Sequence, residues 1–324
     1  MSFNSEVGCE PVPSLSQPSA ESVALSRAGL VRDSVGYFLG KVIPGFFGLI
    51  SVPIFVRVIG LEEYGRLSVL LPILMALSGA GSGWLTQGIL RFHPLPADST
   101  GKKFAFRQGV LRGTIYSLVA SGGVLTGILA AMRYRIGILV IAAAYCALQL
   151  AYTITLAGLQ ARLLPQAVLR NEALRATLGF LLPILIVLAM GKRLYPLVLL
   201  GLALGYLVPL LLETRNSSQP SSAGAMLGPT SSQDARSSET LRSLWRYGWA
   251  VGAWLMLSQL LPVVGRSAIE RFAGYKAAGM YASMYEVAVR AFLFLCLSRD
   301  AGGSSANHAE LEPRAVPSRP HCDA

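Results

Sequence analysis

The strongest constraint on this chain is the run at residues 36–65, GYFLGKVIPGFFGLISVPIFVRVIGLEEYG. Between Gly36 and Gly60 it exceeds the ~20 apolar residues that an α-helix needs to cross a bilayer, and it is too long for a core strand. Pro44 and Pro53 interrupt the run, and Lys41 shares a helix face with Gly45 and Gly48, which follow at i+4 and i+7. Small residues admit another backbone, whereas an ammonium inside a span needs water, a counter-charge or an anionic ligand. A helix with such a stripe is expected in a bundle, lining a cavity. The competing reading of Lys41 is that its stem snorkels to the nearer interface.

Further runs of this kind, a chain 53% hydrophobic and only 14% charged, and a mean hydropathy of +0.52 set the fold class as all-α. The expectation is a polytopic helical membrane protein of about eight transmembrane helices, and a water-soluble core is excluded as the main account. The net charge of +11 does not imply nucleic acid, because the basic residues flank apolar spans and form no aromatic-interleaved patch. Cys9, Cys146, Cys296 and Cys322 show no CxxC spacing, so no disulfide framework is expected. His93, His308 and His321 give no metal-ligand pattern either, and neither a metal nor a cofactor is expected.

Residues 1–34, rich in Ser, Pro and Glu, read as a disordered leader. A first lobe of six helices is expected over 35–213, with later spans near 67–90, 110–131, 136–159, 176–191 and 195–212. Gly79-Ala-Gly-Ser-Gly83 mimics a dinucleotide fingerprint, but it lies mid-helix without a βαβ context and reads as close packing or a break. Ser99-Thr-Gly-Lys102 lacks the first glycine of a phosphate loop. Gly201 and Gly205 form a GxxxG packing face. The fifth span is short and carries Pro183, with Arg175 and Lys192 flanking it as snorkelling residues.

A Ser-rich linker follows at 214–244, then an incomplete second lobe at 245–297 with spans at about 247–265 and from 279, separated by a polar turn over 266–276. From Ser298 the chain is a polar tail to Ala324, expected to be a truncated or frameshifted end. With the N-terminus inside, the leader and the loops 91–107, 160–175 and 214–246 hold more Arg and Lys than the short outer turns, which sets the expected orientation.

An internal repeat connects the two lobes. Arg57-Val-Ile-Gly60 followed by Gly65 is matched by Arg271-Phe-Ala-Gly274 followed by Gly279, an R-x-x-G-x4-G pattern at one offset. Each lobe is therefore expected to begin with the same helix, turn, helix unit, as in transporters built from parallel repeats.

At these residues the chain resembles the polysaccharide (O-antigen type) flippases of the multidrug/oligosaccharidyl-lipid/polysaccharide exporter superfamily. The stretches that carry the resemblance are Leu39-Gly-Lys-Val-Ile-Pro-Gly45, Val52-Pro-Ile-Phe-Val-Arg-Val-Ile-Gly-Leu-Glu-Glu-Tyr-Gly65, Gln87-Gly-Ile-Leu-Arg-Phe92, Ile269-Glu-Arg-Phe-Ala-Gly274 and Gly279-Met-Tyr-Ala-Ser-Met-Tyr285. The resemblance implies movement of undecaprenyl-diphosphate-linked oligosaccharide across the bacterial cytoplasmic membrane by alternating access. The partners it implies are that lipid-linked oligosaccharide, membrane lipid and polysaccharide assembly proteins, and no enzyme activity is implied. The chain departs from the family where Gly265 precedes Arg266, a position at which many members carry an aspartate, and where the second lobe stops after two spans.

A diphosphate sugar needs a polar path with cations, since each unsatisfied polar group costs several kcal/mol in hydrocarbon. The candidate substrate-binding cations are Lys41, Arg91, Arg112 and Arg290, the basic residues inside spans or at their ends. Lys41 leads. Arg290 has Glu286 one turn earlier and leans toward a structural ion pair, while Arg91 and Arg112 lean toward interface snorkelling unless they face a cavity. The alternatives are a drug or metabolite antiporter of the same fold, a membrane-bound polymerase or acyltransferase of surface polysaccharide assembly, and a non-transporting remnant.

Overall fold

A computed structural model describes residues 20–94, 100–217 and 231–307, and within these the side chains of 20–35, 37, 41, 100, 216–217, 231–236 and 293–307 lie outside the described residues. The described elements are helices: α1 (Ala20–Ile59), α2 (Leu61–Phe92), α3 (Thr100–Ala131), α4 (Ile136–Ala161), α5 (Pro165–Met190), α6 (Tyr195–Ser217) and α7 (Ser231–Asn307). All seven contain a stretch long and apolar enough to cross a membrane. The apolar part of α7 alone is 56 residues, about 84 Å at 1.5 Å per residue, more than twice the ~30 Å hydrocarbon core. Gly274 divides that length: at φ 80° and ψ 172° it leaves the helical region and bends α7 into two arms. The bundle is thus an all-α, multi-pass membrane architecture of eight rods among the described residues.

Several boundaries differ from the sequence reading for one physical reason. Hydropathy measures the length that hydrocarbon covers, whereas the i→i−4 hydrogen-bond ladder continues wherever charged side chains can be solvated at the interface. α1 therefore begins at Ala20, inside the expected leader, of which residues 1–19 lie outside the described residues. Lys102, Lys103 and Arg107 sit on the first turns of α3 rather than in a loop, and Arg170 and Arg175 sit on α5. With Pro165 at its start, α5 has 26 residues, so the fifth span is full length and its expected mismatch does not arise. Helix also replaces part of the linker, since α6 runs to Ser217 and α7 starts at Ser231, with 218–230 outside the described residues. The polar tail is helical as far as Asn307, and 308–324 lie outside the described residues. Pro44 and Pro53 do not end α1, because a helix in lipid has no solvent to take over the groups a break would free.

Packing follows small residues. Gly201 and Gly205 of α6 stand where an added Cβ would lie 2.5 Å from Pro183 Cα and 2.9 Å from Gly179 Cα of α5. In the glycine cluster of α2, a Cβ on Gly81 would meet Ser121 Oγ at 2.6 Å, and one on Gly83 would meet Leu255 Cδ1 at 2.7 Å. That cluster packs helices and breaks none, as expected where van der Waals contact rather than water exclusion drives association. One core joins Val52 and Phe55 of α1, Leu70 and Leu74 of α2, Leu129 of α3, Tyr145 of α4, Val187 of α5, Leu199 of α6 and Ala282 of α7. The interface of α2 with α7 is the most extensive in the bundle, and it positions the site described next.

Candidate functional site

The repeat seen in the sequence has a matching geometry. Gly60, between α1 and α2, has φ 89° and ψ 160°, and Gly274, inside α7, has φ 80° and ψ 172°. Both lie in a region open essentially only to glycine. The partner glycines Gly65 and Gly279 then cross each other: a Cβ on Gly65 would lie 1.9 Å from Tyr275 O, and one on Gly279 would lie 2.3 Å from Leu61 O. Tyr275 and Leu61 are each the first residue after a positive-φ glycine, so the two units present the same carbonyl to the same glycine of the other. The expected polar turn over 266–276 is thereby corrected to a bend at Gly274 alone.

That correction moves Arg266 into the bundle. It stands eight residues before Gly274 on a continuous helix, about 12 Å along the axis. Its side chain is only 4% exposed. Nη1 donates to Ser68 O of α2 at 3.1 Å, Nη2 donates to Glu286 Oε1, and the guanidinium lies 5.8 Å from the centroid of the Tyr285 ring. Nε is buried with no hydrogen-bond partner among the described residues. Glu286 is shared: its Oε2 pairs with Arg290 Nη2 at 3.1 Å, and Arg290 Nη1 donates to Gly48 O of α1. Gly48 permits that approach, since a Cβ there would sit 3.1 Å from Arg290 Cζ. Two arginines thus flank one carboxylate where α1, α2 and both arms of α7 meet, leaving one net positive charge in the cluster.

Of the four sequence candidates, the three with described side chains, Arg91, Arg112 and Arg290, do not converge. Arg290 is in this cluster, with the ion pair to Glu286 that the i,i+4 spacing suggested. Lys41 lies on α1 two turns before Gly48, and its side chain is outside the described residues. Arg112 donates to Ser237 Oγ at 2.9 Å, joining α3 to the first arm of α7. Arg91 is exposed in the last turn of α2. Arg266 was missed because the polar run after Gly265 reads as a turn. The signal that finds it is the repeat itself, which fixes the bend at Gly274 and so puts Arg266 two turns inside a helix, at the position of Val52 in the first unit.

A cavity of about 680 Å³ opens beside the cluster, between α2, α3 and α7. Its lining is apolar, with Ile73, Leu77, Tyr116, Val124, Met256 and Val263 among its residues, and Arg91, Arg112 and Arg290 are not part of it. Trp84 in its wall donates Nε1–H to Ser117 Oγ at 3.1 Å. Val263 stands one turn before Arg266, so an apolar chamber and a buried cation cluster adjoin on one helix.

The carboxylates with described side chains in α1–α6 are all matched by arginine. Arg66 pairs with Glu62 at 2.8 Å and with Glu63 at 2.9 Å, Arg175 with Glu172 at 2.8 Å, and Arg170 with Glu213 at 3.4 Å. Arg175 also lies over the rings of Tyr152 and Tyr206, and Glu63 Oε2 accepts the backbone N–H of Tyr195 at 3.0 Å, tying α2 to the start of α6. No group of His, Cys, Asp and Glu suited to a metal occurs among the described residues. Compared with known proteins, the chain matches no protein-family model and no curated protein.

Proposed function

We propose that the chain carries an anionic amphiphile across the membrane, with a lipid-linked diphosphate oligosaccharide as the substrate class. The observation that carries this reading is the Arg266–Glu286–Arg290 cluster, which retains a net positive charge inside the bundle and a buried Nε–H without an acceptor among the described residues. Intramembrane charges are costly, on the order of 2.5–3.5 kcal/mol each on insertion scales, and generally mark a pathway or a ligand. A diphosphate supplies both the negative charge and the acceptor oxygens. The adjoining apolar cavity suits an isoprenoid tail, which needs no polar partner.

Alternating exposure would come from the two repeat units sliding at the Gly65–Gly279 crossing, where bare backbone meets bare backbone. In this reading Arg266 and Arg290 bind the diphosphate, Lys41 of α1 is the further cation expected from the sequence, and Arg112 and Arg91 serve packing and the interface. Among the described residues the carboxylates of the first six helices are all paired, which argues against the organic-cation antiporter. The residence expected is the bacterial cytoplasmic membrane with the N-terminus inside, by the excess of Arg and Lys in the longer connections.

The test is reconstitution of the full chain in vesicles with a fluorescent polyprenyl-diphosphate sugar, followed by its accessibility to a membrane-impermeant quencher. The wild-type chain is expected to expose inner-leaflet probe, Arg290→Lys to retain this, and Arg290→Gln to lose it. Protection equal to that in protein-free vesicles would refute the reading.

A further inference from the structure

A second cavity, of about 650 Å³, lies at the other end of the bundle, among the C-terminal turns of α2 and α4 and the first turns of α3. Ile89, which lines it, is about 30 Å along α2 from Ser68 of the arginine cluster, so the two sites are separate. Lys103, Arg107 and Arg162 contribute to its lining, and among the described residues no carboxylate does. Arg107 and Arg162 are exposed, on α3 and just past α4. Deeper in, the walls are Ile89, Phe106 and Ile154, with Ile89 and Ile154 buried in the core. His93 packs edge-on against Phe106 at 5.7 Å between ring centroids.

The pocket is therefore amphipathic in the same sense as a phospholipid, cationic at the rim and apolar beneath. Its depth in the bilayer matches too. It is formed where three spans end, and the neighbouring Phe92, Leu163 and Leu164 are exposed to an extent that water would disfavour and the edge of the hydrocarbon would not. We infer that this pocket holds an anionic phospholipid of the surrounding bilayer, its phosphate against Arg107 and Arg162 and an acyl chain along Ile89, Phe106 and Ile154. Basic pockets between transmembrane helices are a recurring means of recognising such head groups. The inference does not depend on what the arginine cluster transports.

Native mass spectrometry of the purified full chain, titrated with phosphatidylglycerol or phosphatidylcholine, tests it. One phosphatidylglycerol is expected to bind in preference to phosphatidylcholine. At about 1 kcal/mol per basic residue near the surface, R107Q/R162Q should weaken that binding about thirtyfold. R107K/R162K should keep it, as should K192Q/R193Q, which removes two charges from the turn between α5 and α6. Gly158 lines the pocket and a Cβ there meets nothing within 4 Å, so Gly158→Phe should expel the lipid with every charge intact. Equal binding of the two lipids, retention by R107Q/R162Q, or displacement of the lipid by inorganic phosphate would each overturn the assignment.

Discussion

Replacing Glu286 with glutamine tests the arginine cluster at its centre. The substitution keeps shape and one acceptor oxygen but removes the charge that faces both Arg266 and Arg290. Arg266 bears most of the consequence, because its side chain is 4% exposed whereas that of Arg290 is 32% exposed. Removing one partner of a buried ion pair typically costs about 3–5 kcal/mol, and the acceptor left on glutamine brings the expectation to the lower end, about 3 kcal/mol. That corresponds to an increase of about 150-fold in the unfolded fraction.

The chain contains its own reporter. Cys146 is buried, with Sγ 3.6 Å from Leu74 O, and with Cys9, Cys296 and Cys322 changed to serine its alkylation by a fluorogenic maleimide reads opening of the core. Arg266→Gln alone should cost less, about 1–2 kcal/mol, since Glu286 keeps Arg290 and only hydrogen bonds are lost. The double variant E286Q/R266Q should then be more stable than E286Q, because the almost fully buried Arg266 charge that E286Q leaves unmatched is gone and only the partly exposed Arg290 remains. Additive destabilisation in this cycle would refute the claim that the carboxylate neutralises Arg266.

Other expectations read out in the same alkylation assay. Gly279→Ala should destabilise by about 1–3 kcal/mol, because its Cβ would lie 2.3 Å from the Leu61 carbonyl and only helix separation relieves that contact. Gly60→Ala and Gly274→Ala should each cost about 1–3 kcal/mol through backbone strain, whereas Gly137→Ala, with open space around it, should not destabilise. Ser117→Ala, which strips the Trp84 Nε1–H of its acceptor, should cost about 1 kcal/mol. Arg112→Ala should loosen the α3–α7 contact at Ser237 while leaving binding of a polyprenyl-diphosphate probe unchanged, measured by fluorescence anisotropy.

Much of the architecture was legible in the sequence because lipid imposes a length rule that soluble cores do not. The rule gave the spans, and the two R-x-x-G-x4-G segments gave the equivalence of the two units, although the second bend was read as a polar turn over 266–276 rather than at Gly274 alone. Helix ends were not legible, since Lys103, Arg107 and Arg170 are solvated at an interface whether the backbone there is helix or loop. Arg290 was legible because its partner is four residues away on the same helix. Arg266 was not, because its acceptor on Ser68 is distant in sequence and its shared carboxylate lies across the Gly274 bend. The apolar cavity was hidden for the same reason: Tyr116, Met256 and Val263 are ordinary span residues until α2, α3 and α7 are brought together.

The meeting of the two repeat units can be measured by chemical linkage in native membranes, with cysteines replacing Leu61 and Tyr275, a short bismaleimide, and a protease site inserted between residues 217 and 231. The crossing of Gly65 with Gly279 predicts that the two halves remain joined on a denaturing gel after cleavage. Complete separation of the halves, with both cysteines still reactive toward a monofunctional maleimide, would contradict the structure on which the transport reading rests.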